Sequence, residues 1–267
     1  MKKTRVYIDG YNLYYGLLKG TPWKWLDLVS FSQELLGEGH QIVCVNYFTA
    51  PVKTYPHDEP AIERQNVYLQ ALSTFPDVKT ILGFYAKNKA MLPVREQACR
   101  ACPTPEDGMI RVVKLEEKRS DVNIAVAMLL DAAKTDTDCF ALITGDSDQV
   151  GAIEALRYDY GKKVLVFNPH LSFSEHLKRA ASYYKNIPRD MPSRHQLPDS
   201  IPIGTKRIFT EQRVYSTITK DDLRLDLLPR RRTRLRRSEP LPRREALLKC
   251  GVDLRRRRCL HADDSPQ

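Results

Sequence analysis

Phe140-Ala141-Leu142-Ile143 is followed at once by Thr144-Gly145-Asp146-Ser147-Asp148. An apolar run of this length has the pattern of a buried strand. It stops in a glycine and two acids one residue apart. On a continuing strand that spacing puts both side chains on one face, and on a strand-to-helix turn both can still face one cleft. Two carboxylates so placed repel each other unless a positive charge sits between them. A hard divalent cation, Mg²⁺ or Mn²⁺, meets that need with oxygen ligands. The bland alternative is a turn in which Asp and Ser merely cap the helix expected over 149–160.

Two other stretches bear acids in comparable places. Val6-Tyr7-Ile8 is a short strand ending in Asp9. Gly10 allows a tight turn there, and Asn12 follows ahead of Leu13, Leu17 and Leu18 at helical spacing. Asn12 as a simple helix cap is the structural alternative. Further on, Lys118-Arg119-Ser120-Asp121 precedes a helix over 123–133 that is apolar on most sides and therefore buried. Ser120 suits its N-cap and Asp121 its first turn, which also brings an acid to the cleft.

Strands at 41–50, 78–86, 109–115 and 163–167 alternate with helices at 61–74, 150–160 and 173–183. A loop and amphipathic helix span 23–36, with Trp25, Leu28, Phe31 and Leu35 as the apolar stripe. Such alternation predicts a mainly parallel sheet with right-handed crossovers. Ligands bind beyond the carboxyl ends of such strands, where Asp9, Asp146 and Asp148 all fall. Residues 87–108 read as a polar insertion carrying Cys99-Arg100-Ala101-Cys102. No second His/Cys pair stands at zinc spacing, so two free thiols are expected there.

The net charge of +10 is uneven. Residues 1–188 hold 23 Lys and Arg against 22 Asp and Glu, a net +1, whereas residues 189–267 hold 20 against 11, a net +9. The basic excess therefore belongs to the end of the chain and does not mark the globular part as a nucleic-acid binder. Prolines break residues 189–202, 201–214 suits a short ordered arm, and arginine blocks dominate from Pro229. Such blocks are either solvated and disordered or bind phosphates without sequence preference. No apolar run is long enough to span a bilayer, and Asp9 interrupts any signal-peptide core. A cytoplasmic protein without a membrane partner is expected. The six cysteines suggest no disulfide framework, and the six histidines form no cluster along the chain.

Three motifs in register resemble the NYN domain family, a branch of the PIN-like nucleases. They are Val6-Tyr7-Ile8-Asp9-Gly10-Tyr11-Asn12-Leu13, Glu117-Lys118-Arg119-Ser120-Asp121-Val122-Asn123-Ile124-Ala125 and Thr144-Gly145-Asp146-Ser147-Asp148. The match covers roughly residues 4–187, and Leu197 to Ile208 resembles the family's short C-terminal extension. The resemblance implies an α/β fold, a PIN-like three-layer sandwich over residues 1–188, with an extension at 189–209. Residues 210–267 lie outside the resemblance and are expected, from their composition, to be a disordered Arg-rich tail. It also implies metal-dependent RNA cleavage. Asp9, Asp121, Asp146 and Asp148 correspond to the acidic cluster holding Mg²⁺ or Mn²⁺, and Asn12 to the family's asparagine. Lys118 and Arg119 are expected to attract phosphate, and Thr144 and Ser147 to hydrogen-bond at the site and fix the acids. One ion or two fit four carboxylates. A non-catalytic RNA-binding or adaptor module is the alternative. An aspartyl-phosphatase reading ranks last, because position 11 lacks the second acid of that chemistry.

Overall fold

A computed structural model describes residues 1–52, 59–93, 109–203 and 206–209, with the short pairs 252–253 and 258–259. Six parallel strands build its central sheet: β1 (Lys2–Asp9), β2 (His40–Thr49), β3 (Val78–Leu82), β6 (Cys139–Ile143), β7 (Lys163–Asn168) and β8 (Tyr183–Asn186). Their order is β3-β2-β1-β6-β7-β8. The chain thus winds outward from β1 in one direction and from β6 in the other. The crevice between those two strands is the topological switch point, where open α/β sheets bind ligands.

Alternation along the strands creates the layers. Val6, Ile8, Ala141 and Ile143 face one side, while Tyr7, Phe140 and Leu142 face the other. The first face packs against α1 (Gly10–Leu13), a π-helical turn that continues it (Tyr14–Leu18), α2 (Leu28–Leu36) and α3 (Glu59–Leu72). The second packs against α4 (Ser120–Lys134), α5 (Val150–Tyr158) and α6 (Glu175–Ala180). Side chains on successive strand positions point to opposite faces, so each strand feeds both cores. This is the expected α/β sandwich about a parallel sheet.

Five local expectations give way to tertiary geometry. The strand expected over 78–86 breaks at Gly83 into β3 and β4 (Phe84–Pro93). A Cβ on Gly83 would lie 2.7 Å from the Lys118 carbonyl oxygen, so only glycine allows that approach. β4 pairs with β5 (Met109–Lys118) as a separate two-stranded sheet. Part of the expected insertion at 87–108 is therefore strand, and Cys99 and Cys102 lie outside the described residues. The helix expected over 173–183 stops at Ala180. Ala181 turns extended, and residues 183–186 pair with β7 as the sheet edge. The N-cap of α4 is Arg119, not Ser120. Trp25 lies ahead of α2 rather than in its apolar stripe, and it packs with Ala71, Leu197 and Ile201.

The chain divides into two compact units, residues 1–86 with 115–223, and 87–114 with 224–267. The first holds the central sheet and the acids. Within it, Leu197 donates its backbone N–H to the Trp25 carbonyl at 2.7 Å, which fixes the segment after β8. That segment ends in the antiparallel pair β9 (Ser200–Ile203) and β10 (Lys206–Phe209). In the second unit, Val252–Asp253 pairs antiparallel with Arg258–Cys259. The other residues of the arginine-rich tail lie outside the described residues. No helix among the described residues is long and apolar enough to cross a membrane.

Candidate active site

Asp9 is the last residue of β1 and is 1% exposed. Burying a carboxylate requires hydrogen bonds to offset lost hydration, and Asp9 receives three. The Asn12 backbone N–H donates to Oδ1 at 2.9 Å, Asn12 Nδ2 donates to Oδ2 at 2.6 Å, and the Thr144 hydroxyl donates to Oδ2 at 3.0 Å. Asp9, not Asn12, is therefore the N-cap of α1. These bonds favour the charged form, but burial, followed in sign by the Asp146 charge, lifts the carboxyl above its ordinary range.

Thr144 follows β6 directly and is fully buried. Besides donating to Asp9, its hydroxyl accepts from the Asp146 N–H at 3.1 Å. One side chain thus ties the end of β1 to the acidic turn after β6. Asp146 Oδ1 in turn accepts the Asp148 N–H at 3.0 Å, capping a 3₁₀ turn over Ser147–Gln149. The capping role and the shared cleft are therefore compatible. Asp146 is half-buried, while Ser147 and Asp148 are exposed.

Asp121 arrives on a different element, the first turn of α4. The turn before it is strained. Arg119 has φ 79°, the left-handed region that side chains rarely occupy, and strain of this kind gathers at functional sites. The Arg119 guanidinium lies 4.9 Å from the Phe84 ring centroid. Gln149 Nε2 donates to the Asp121 carbonyl oxygen at 3.0 Å, linking the 3₁₀ turn to α4. Gln149 Oε1 is buried without a partner among the described residues. Lys118 and Arg119 are exposed.

The electrostatics join these separate segments. Asp121 is itself exposed, yet its carboxyl is pushed up from 3.8 to about 6, by burial first and then by the charges of Asp9, Asp146 and Asp148. A side chain on a cleft wall touches water on one side and protein on the other, so Asp121 is both exposed and partly desolvated. Among the described residues, no lysine or arginine pairs with any of the four acids.

Two neighbours came from outside the motifs. His170 Nε2 lies 2.8 Å from Asn12 Oδ1, and the Gly145 N–H donates to the same oxygen at 3.3 Å. An amide oxygen only accepts, so His170 carries its proton on Nε2. That fixes Asn12 with its amide NH₂ toward Asp9. The His170 backbone N–H donates to Asn168 Oδ1 at 2.9 Å. Asn168 ends β7, on the same rim as Asp9. A Cβ on Gly145 would stand 2.5 Å from the His170 ring, so glycine is needed there. The available signal was Asn168-Pro169-His170 after a buried parallel strand.

The NYN domain model matches residues 3–188, the segment that carries all of these groups. The chain belongs to the NYN domain family. Nucleases of the PIN-like superfamily share this domain, and they usually use divalent metals. The NYN domain here is also similar to 6-hydroxy-3-succinoylpyridine 3-monooxygenase HspA of Pseudomonas putida, 32% identical over 173 residues. That match spans 58% of this chain and 55% of HspA, about half of the relative's length. Among solved structures, a Vibrio parahaemolyticus protein of unknown function is 18% identical with TM-score 0.42, covering 73% of this chain and 96% of its own. Acinetobacter baumannii MurG is 13% identical with TM-score 0.33, covering 74% of this chain and 43% of its own. Likenesses at those scores carry no functional weight.

The donors of this NYN domain are oxygens: four carboxylates, an amide and hydroxyls. That set suits a hard cation. Among the described residues, no three His, Cys, Asp or Glu side chains stand close enough to share one ion directly. The charge coupling onto Asp121 reaches further than ligand distance, so the two observations are compatible. Mg²⁺ commonly keeps several waters and takes only one or two carboxylates. The residues fit an ion held partly through water.

Proposed function

We propose that this NYN domain hydrolyses phosphodiester bonds in RNA with a divalent cation, Mg²⁺ or Mn²⁺, held by Asp9, Asp146 and Asp148 in part through bound water, with Asp121 completing the set directly or through water. The observation that carries the reading is the Thr144 hydroxyl, which donates to Asp9 and accepts from the Asp146 N–H and so ties acids from two strand ends to one rim. When bound, a divalent ion supplies a more acidic water and neutralises charge at the phosphoryl group. Asp9 anchors the site from β1, and Thr144 sets its distance from Asp146. Asn12, held by His170 and Gly145, presents a neutral group that orients without adding repulsion. Lys118, Arg119 and Ser147 are exposed for phosphate contact.

The test is Asp146→Asn. It should abolish Mn²⁺-dependent cleavage and leave the melting temperature within a few degrees of wild type. A wild-type protein that never cuts RNA or single-stranded DNA in Mg²⁺ or Mn²⁺ removes the enzymatic claim. RNA bound tightly in chelator, with no turnover once metal is restored, favours the adaptor alternative.

A second reading has one observation behind it, the 32% identity to a protein named for oxygenating a pyridine. Oxygen uptake that depends on 6-hydroxy-3-succinoylpyridine, with RNA left intact, would favour that reading.

A further inference from the structure

Gln149 follows the acidic turn directly and does nothing for the helix it begins. It is the N-cap of α5, a place where a polar side chain commonly accepts from the first helical amides, yet it makes no cap bond there. It is 1% exposed. Its amide reaches instead to another element, where Nε2 donates to the Asp121 carbonyl oxygen at 3.0 Å. A backbone carbonyl only accepts, so that bond fixes which way the amide faces. Oε1 is then left buried with no partner among the described residues.

An unsatisfied buried acceptor is destabilising, and an apolar side chain of the same length would fill the position without one. The Asp121 carbonyl has little need of the bond either. It lies in the first turn of α4, where the helix's own ladder offers it the Ala125 N–H. What the bond does is join two segments whose charges have one sign. Asp121 begins α4, and Asp146 and Asp148 lie on the turn just before Gln149. Repulsion works to part them. The entry to α4 is also strained at Arg119, with φ 79°, and such a conformation persists only where its surroundings hold it.

We propose that Gln149 is a positioning residue, which clamps the first turn of α4 against the acidic turn after β6 and so holds Asp121 beside Asp146 and Asp148 before any cation binds. The proposal rests on the metal-site reading above and adds the residue that assembles that site. The clamp exchanges stability for geometry, so its removal should loosen the site without weakening the fold.

The experiment compares full-length wild type with Gln149→Met and Gln149→His. Methionine keeps the length and the apolar contacts without a donor, and histidine keeps an N–H. In EDTA, hydrogen exchange is read at Asn123, Ile124 and Ala125, whose amides close the first turn of α4; the Asn123 N–H donates to the Arg119 carbonyl at 2.8 Å. Gln149→Met should exchange there roughly fivefold faster, the effect of one net hydrogen bond, with a melting temperature no lower than wild type. Mn²⁺ affinity, read from the free ion by electron paramagnetic resonance without RNA, should weaken about tenfold, the lower end for losing a group that orients a metal ligand. Gln149→His should recover part of both.

Unchanged first-turn exchange in Gln149→Met overturns the clamp, and so does a measurable Mn²⁺ affinity equal to that of wild type. In either case Mn²⁺ bound tightly by wild type leaves the metal reading standing alone. A lowered melting temperature with faster exchange throughout α4 and α5 also overturns the clamp, because it marks a residue that only packs. Faster first-turn exchange with no Mn²⁺ bound by wild type upholds the clamp and removes the metal reading.

Discussion

Asp121→Asn, compared with wild type in the absence of metal, tests the repulsion on which the site is built. The unfolded chain ionises Asp121 near 3.8, whereas the folded protein ionises it at about 6. A raised carboxyl binds its proton more tightly when folded. The stability it allows is therefore present below 3.8 and is lost as pH rises through about 6. At face value the gap is worth ~3 kcal/mol, at 1.36 kcal/mol for each pH unit. The side chain is exposed, so solvent screening reduces that to ~1–1.5 kcal/mol. Asparagine also gives up the attraction between a charge and the start of α4, ~0.3–1 kcal/mol. The net expectation is that metal-free Asp121→Asn is more stable than wild type by up to ~1 kcal/mol at pH 7.5. At pH 4 the advantage should vanish. Urea denaturation in EDTA at both values reads the difference. Mn²⁺ should then stabilise wild type by mass action and stabilise the variant less. If the variant is the less stable protein at pH 7.5 in chelator, or if carboxyl NMR places Asp121 near 3.8, the four acids do not share a cleft.

The remaining predictions concern residues that hold the site. His170→Ala should release Asn12 and lower kcat at least tenfold with little change in KM, while His170→Gln, which keeps an N–H donor, should recover part of the rate; equal losses in both variants would mean that the donor does not matter. Tyr7 donates to Asp131 Oδ2 at 2.6 Å, holding α4 against β1, and burial pushes its own hydroxyl far up. Tyr7→Phe should therefore cost about 1.5–3 kcal/mol, the range for a hydrogen bond to a charged group, as read by chemical denaturation, and a loss near zero would show that this bond does not hold the helix.

Much of this molecule was legible in the chain itself. The run Val6-Tyr7-Ile8 and the run Phe140-Ala141-Leu142-Ile143 announce buried strands because apolar patterning is a local property. The motifs at their ends then place Asp9 and Asp146 on one rim, since parallel strands share a direction. The edges of elements were less legible. Residues 183–186 carry no feature that forbids helix, and they become strand because β7 offers an unpaired edge. Arg119 caps α4 in a left-handed conformation, and Gly83, between β3 and β4, leaves room for the flanking Lys118 carbonyl and Ser120 side chain. No propensity anticipates a positive φ at an arginine.

The site divides along the same line. Residue type and spacing alone determined that the chain carries oxygen donors at strand ends, since side-chain chemistry and the periodicity of a strand are fixed by covalent structure. The tertiary structure alone decided that β1 lies beside β6, that Asp121 feels the charges of three other aspartates, and that His170 reaches Asn12 across 158 positions of sequence. Those facts depend on desolvation and on Coulomb forces, which act through space, and distance through space is set only when the sheet closes its order.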